Sequence, residues 1–437
     1  MKSVTVIGGG LSGVEAAYQI AKRGIGVRLY DIKPDNLTEG HKMKTLGEMI
    51  CSNSLGSNEL TSGAGLLKRE LEILDSFFLK NAERAKVSAG NSFSVDREVL
   101  SSLLTEEIKK NKNIDFTSNE IKAIPEKESV TIIATGPLTT EKFSEAISGL
   151  TGRKNLFFYD ATSPIIDIDS IDMNRVFWGS RYEKGEPDFI NIPLNKEEYY
   201  TFIDDLNAAE KVELKDFEDN QYFEACLPIE EIASRGRESA SFGPLKPVGF
   251  IDPNTGKRPY AIVQLRQDDV KKRFFQMVGF QTRLKWGEQK RVFRTLPGLA
   301  NAKFERYGRM HRNSYVNAPV ILNEFYQMKK YPNIFFAGQI SGVEGYLESV
   351  NSGLIAGIFA YKYLMGEILS KLPEATASGS LLGYITGGNW KNFKPSKFTF
   401  GLLSDLDIRE RNKKKRKELK AERALAKIEE WKLSEKI

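Results

Sequence analysis

The chain has 437 residues, more than one typical domain holds, with 41% hydrophobic and 28% charged residues and a net charge of +6. That is the composition of a soluble globular protein of two domains. No apolar run reaches the ~18 residues of a membrane span, and the first residues run straight into a strand pattern with no signal peptide. No membrane partner and a cytoplasmic setting are therefore expected. Two cysteines, Cys51 and Cys226, and two histidines, His41 and His311, offer no zinc spacing, so no metal is expected.

The predicted elements begin with an apolar strand, Val4-Thr5-Val6-Ile7, which runs into Gly8-Gly9-Gly10-Leu11-Ser12-Gly13. A stretch with helical apolar spacing follows, then a second strand from Ile25 that ends in Asp31. Strand, glycine turn, helix, strand and acid, in that order, make a dinucleotide-binding unit. Gly8 permits the tight turn, Gly10 lets the backbone approach a pyrophosphate, and Gly13 lets the helix pack close. The helix N-terminus at Leu11 attracts the phosphates, and Asp31 sits where a ribose hydroxyl is bound.

Further along, Val130 to Pro137 reads as a buried strand ending in Thr135-Gly136-Pro137. From about Phe157 to Ala302, short aromatic and β-branched runs alternate with turn signals, the texture of an inserted α+β domain. A buried strand returns at Asn333 to Gly338, followed by a helix over about 346–365 with small residues at Ser352, Gly353, Ala356 and Gly357. No second strand-led GxGxxG exists, so FAD is the expected resident cofactor rather than NAD. The expected architecture is α/β: a Rossmann-like FAD-binding domain with an inserted smaller α+β domain. The first part of the FAD-binding domain covers 1–156, the insert 157–302, and the second part, with a basic C-terminal helix, 303–437.

The twelve Lys/Arg against six Asp/Glu from Arg409 to Ile437 carry the charge excess. Such a tail suits a polyanion. Ala421, Ala424, Leu425, Ile428 and Trp431 also share one helical face, so docking onto the body is an equal reading.

Motifs along the chain resemble the folate- and FAD-dependent tRNA uracil-5-methyltransferases. They include Glu48-Met-Ile-Cys51-Ser-Asn-Ser-Leu55, Val95-Asp96-Arg97, Gly243-Pro244-Leu-Lys246-Pro247, Lys257-Arg258-Pro259-Tyr260 and Leu284-Lys285-Trp286-Gly287. Met310-His311-Arg312-Asn313 and Gly338-Gln339-Ile-Ser-Gly342-Val343-Glu-Gly345-Tyr346 complete the pattern. The resemblance implies methylation of uridine 54 in the tRNA T-loop, with carbon from methylenetetrahydrofolate, reduced FAD as electron donor and NAD(P)H as reductant. It assigns attack on uracil C6 to Cys226 and places Cys51 near the flavin as base or adduct-engaging thiol, with the reverse division left open. Covalent addition at C6 makes C5 nucleophilic, and a second group removes the C5 proton. A reactive thiol is expected to have a lowered pKa.

The same resemblance stacks His311 on the pterin, with Tyr346 as the next candidate for a folate contact. It lines FAD with Arg97, Thr135, Gly136, Gly338, Gln339, Gly342, Val343 and Gly345. Lys285, Trp286, Lys290 and Arg291 form a basic segment with an aromatic, suited to an RNA backbone and a stacked base. Several positions depart from the family pattern: Asp31 for Glu, Lys33 for Arg, Ser88 for Pro, and Val350-Asn351 before Ser352. These keep open a uridine of 23S ribosomal RNA as the alternative target. A small-molecule FAD oxidoreductase is the alternative of another class.

Overall fold

The computed structural model describes residues 2–38, 40–125, 129–153, 156–183, 186–213, 227–388, 391 and 393–437. Its first layer is a five-stranded parallel sheet, in the order Ile334–Phe336, Val130–Ile133, Ser3–Ile7, Gly26–Asp31, Ile114–Ser118. The central strand is apolar on both faces, with Val4, Val6 and Ile7 buried, as a parallel sheet covered by helices requires. The helix Leu11–Ala21 covers it and packs against the long helix Tyr346–Met365. Glycines set that approach. A Cβ on Gly353 would lie 2.2 Å from the Ser12 carbonyl oxygen, and one on Gly357 would lie 2.9 Å from that of Ala16. The two helices therefore touch backbone to backbone.

A second core, from Ile166 to Ala302, is built on a six-stranded antiparallel sheet. Its order is Phe177–Gly179, Phe189–Leu194, Ala261–Gln267, Phe274–Met277, Ile165–Asp167, Phe304–Arg306. The helix Lys196–Ala208 lies against it, opened by a capping box in which the Asn195 side chain and Glu198 satisfy each other's backbone N–H groups. Tyr199, Phe202, Phe275, Phe280 and Phe293 fill the space between.

The chain enters and leaves this unit along one antiparallel pair, Leu156–Ala161 with Met310–Tyr315. That pairing sets Asp160 opposite His311, beside the glycine turn of the first sheet.

The C-terminal helix Lys413–Ser434 docks on the first core. Ala421, Ala424, Ile428 and Trp431 are buried, and Trp431 meets Phe359 edge-on at 6.3 Å. Lys432 Nζ donates to the Ile73 carbonyl at 2.6 Å. The cations from Lys413 to Arg416 point to solvent. Among the described residues no helix is long and apolar enough to cross a membrane.

Candidate active site

A cleft of about 910 Å³ opens between the glycine turn and the two crossover strands. Its floor is Gly8, Gly9, Gly10 and Leu11, and one wall is Thr135, Gly136, Pro137 and Leu138. A second cavity of about 490 Å³ shares Gly8, Asp31, Lys33, His41, Thr135 and Leu138 with it, making one elongated groove. Each glycine of the turn has its own reason. Gly8 has φ +105°, and a Cβ there would strike the Ala134 carbonyl at 2.4 Å. A Cβ on Gly13 would lie 1.8 Å from the Gly8 carbonyl oxygen. Gly10 is different: a Cβ there meets nothing within 4 Å, because it faces the open groove. A backbone cleared in front of a helix N-terminus, with a carboxylate at the end of the second strand, fits the pyrophosphate and ribose of a dinucleotide.

Asp31 lines the groove, with Oδ2 accepting from Gly9 N at 2.6 Å and Oδ1 from Lys33 N at 2.8 Å. Each oxygen keeps a lone pair for a hydroxyl donor. Lys33 turns inward to a buried ion pair with Glu48, Nζ to Oε2 at 3.0 Å. Glu48 also accepts from Lys42 N and Met43 N, which folds the segment 33–50 over the groove. His41 rides on that segment and lines both cavities. Burial, and then the Lys33 charge, push its pKa down to about 4, so the ring is neutral near pH 7. Both histidines of the chain thus face one groove; His311 is buried on the opposite wall.

Cys51 is half-buried at the same cleft. The Tyr346 hydroxyl oxygen accepts from Cys51 N at 2.8 Å and from Ser52 N at 3.0 Å. These fill its two lone pairs, so its proton is directed to Cys51 Sγ, 3.0 Å away. That bond favours a thiolate, yet burial and then the Asp160 carboxylate outweigh it and push the thiol up to about 12. The expectation of a lowered pKa is therefore corrected: burial and Asp160 hold Cys51 as a neutral thiol. Glu344 stands nearby, its carboxyl raised by burial and by Asp160.

The cleft gathers Gly8, Gly10, Leu11, Asp31, Thr135, Gly136, Gln339, Cys51, His311 and Tyr346. Gly338, Gly342, Val343 and Gly345 shape the turn behind Gln339 instead. Gly338, Gly342 and Gly345 have φ of +77°, +91° and +110°, and a Cβ on Gly342 would strike the Phe393 ring at 2.5 Å. Arg97 is not brought to the cleft. It lies in a neighbouring cavity, donates to the carbonyls of Met49 and Ile50, and pairs with Asp268 at 2.5 Å.

The proposed RNA segment stands apart on the helix Trp286–Phe293. Lys285 pairs with Glu210 at 2.7 Å and Arg291 with Asp205 at 2.8 Å, which neutralises both, while Lys290 is exposed. Trp286 stacks on Tyr307 at 5.7 Å and lies 5.0 Å from the Arg309 guanidinium, two residues from His311. Cys226 lies outside the described residues. Sequence reasoning assigned no site role to His41, Lys33, Glu48, Asp160 or Asn313. Histidine scarcity was the one signal available for His41. Among the described residues no group of three His, Cys, Asp or Glu side chains is arranged to hold a metal.

Residues 3–367 match the family model described as glucose inhibited division protein A. A methylenetetrahydrofolate–tRNA-(uracil-5-)-methyltransferase TrmFO of Acetivibrio thermocellus is 50% identical over 428 residues, 98% of each chain. The enzyme of that name from Bacillus pumilus is 50% identical over 426 residues, again 98% of each. The structure of Aquifex aeolicus GidA superposes with a TM-score of 0.69 at 16% identity, covering 99% of this chain and 76% of that one, and so shares the fold. The chain belongs to the family of folate- and FAD-dependent tRNA uracil-5-methyltransferases.

Proposed function

We propose that this protein methylates C5 of uridine 54 in the T-loop of tRNA, taking the carbon from methylenetetrahydrofolate. The observation that carries the reading is the company Cys51 keeps. A thiol, a tyrosine hydroxyl and two histidines line the same groove as a dinucleotide-binding glycine turn. A small-molecule flavin oxidoreductase has no need of that thiol. Gly8, Gly10, the N-terminus at Leu11, Asp31, Thr135, Gly136 and Gln339 would hold FAD. When bound, FAD supplies the electrons that reduce the transferred carbon to a methyl group, with NAD(P)H as the reductant.

The remaining steps belong to side chains. Cys226 adds to uracil C6, forming an S–C6 bond and breaking the C5=C6 π bond, which makes C5 a nucleophile. After C5 takes the carbon, its proton must leave before the S–C6 bond can break. Cys51, once deprotonated, receives that proton, and burial with the Asp160 carboxylate strengthens its hold on it. His311 covers the pterin and keeps water from the carbon being transferred. Arg309 and Trp286 offer the RNA a cation and a ring close to His311. The reaction runs in the cytoplasm, where tRNA and folate meet.

The test is nucleoside analysis of tRNA and of 23S ribosomal RNA lacking the modification, after incubation with protein, FAD, methylenetetrahydrofolate and NADPH. 5-Methyluridine in tRNA supports the reading. Its appearance only in ribosomal RNA moves the target, and its absence from both overturns the activity.

A further inference from the structure

The segment that carries Cys51 belongs to the first core but is held by side chains of the second. Gln276 Nε2 donates to the Cys51 carbonyl oxygen at 2.8 Å. Arg306 Nη1 donates to the Ile50 carbonyl at 3.1 Å. Arg266 reaches the Ser52 hydroxyl at 2.8 Å and the Asn53 amide oxygen at 2.9 Å, while Asn53 Nδ2 returns a bond to the Gln267 carbonyl at 2.8 Å. Gln276 is itself held, its Oε1 accepting from Arg266 Nη2 at 2.7 Å. It is 3% exposed, so water has little access to replace it. With Tyr346 on its N–H and Gln276 on its carbonyl, the Cys51 peptide is gripped from both units at once.

From this we propose that Gln276 is the positioning residue for Cys51: its amide fixes the cysteine's backbone across the junction between the two cores. The proposal rests on Cys51 taking part in the reaction. Gln276 touches no reacting atom. It sets where Sγ stands relative to Tyr346 and the cleft. A displacement of about an ångström at a reacting group is enough to lose a large factor in rate.

Two variants of the flavin-loaded enzyme separate positioning from mere support. Gln276→Glu keeps the oxygen that accepts from Arg266 but loses the donor and turns a carboxylate oxygen toward the Cys51 carbonyl. Gln276→Met keeps the shape and loses both bonds. In each, kcat should fall about tenfold or more, with KM for RNA and folate unchanged and the melting temperature close to wild type. Wild-type turnover by Gln276→Glu would show that Gln276 only braces Arg266, and would overturn the proposal. A fall in kcat matched by a proportionate fall in folded fraction would also overturn it.

A second readout does not depend on methylation. In a Cys226→Ala background, alkylation of Cys51 by iodoacetamide should speed up at least about threefold with either substitution, as the thiol leaves the burial that outweighs its Tyr346 hydrogen bond. An unchanged alkylation rate contradicts the positioning role. A changed rate in a protein that methylates no RNA would leave that role standing and sink the proposed function alone.

Discussion

Gly10 offers the sharpest separation of folding from binding. Its backbone lies at φ −73° and ψ −172°, a conformation open to any residue, and an added Cβ meets nothing within 4 Å. Gly10→Val therefore places its Cβ in open space in the free protein. Replacing a glycine at a compatible position stabilises a fold by ~0.4–1 kcal/mol through the unfolded chain, so the melting temperature of the flavin-free variant should hold or rise slightly. The new methyl groups stand where the pyrophosphate must pass. Overpacking of that kind costs ~1–3 kcal/mol, which is a loss of roughly 5- to 150-fold in flavin affinity. The neighbouring Gly13 behaves oppositely: a Cβ there lies 1.8 Å from the Gly8 carbonyl. Gly13→Ala should destabilise the protein itself by about 3 kcal/mol or more. The assay is fluorescence titration of flavin-stripped protein with FAD, beside thermal melts of the same samples. A folded Gly10→Val protein that binds FAD like wild type would refute the placement of the dinucleotide.

Cys51, read in the Cys226→Ala variant, should alkylate slowly at neutral pH. Because its thiol is pushed up to about 12, the rate should keep climbing with pH beyond 9; a plateau near pH 7–8 would contradict that. His311→Ala should raise the folate concentration needed for half-maximal rate while sparing FAD binding, checked by steady-state kinetics. An unchanged folate dependence moves the pterin to another residue, Tyr346 first. Trp431→Ala should cost ~3–5 kcal/mol in denaturant unfolding, because that ring is 4% exposed against the first core. A truncation from Arg409 that changes the salt slope of RNA binding without lowering the melting temperature would favour RNA contact over docking.

The parts of this molecule legible in its sequence are those written locally. The glycine turn, its flanking strands and the acid at Asp31 occupy one contiguous stretch; Gly8 and Gly13 make the close backbone approaches their positions implied, and Gly10 faces open space. The docking face of the C-terminal helix followed from 3.6-residue spacing in the same way. What stayed hidden depends on partners far along the chain. Nothing near Arg97 announces Asp268, which pairs with its guanidinium in a neighbouring cavity. Nothing near Lys285 or Arg291 announces Glu210 and Asp205, which neutralise them. Residue type alone predicts a free cation; the fold decides whether it is one. His41 entered the cleft because Glu48 folds its segment over the groove, a consequence of backbone bonds that no motif records. The expected thiol pKa failed for the same reason, since Asp160 comes from a crossover strand rather than from the cysteine's neighbours in sequence.

The central claim is that carbon from folate becomes the methyl group on uracil C5. Methylenetetrahydrofolate labelled with carbon-13 at its methylene, given with FAD and NADPH to unmodified tRNA, tests it by mass spectrometry of the digested nucleosides. The account predicts 5-methyluridine at position 54 carrying the label, and none with the Cys226→Ala protein. Unlabelled 5-methyluridine, or label incorporated equally well without Cys226, would contradict it.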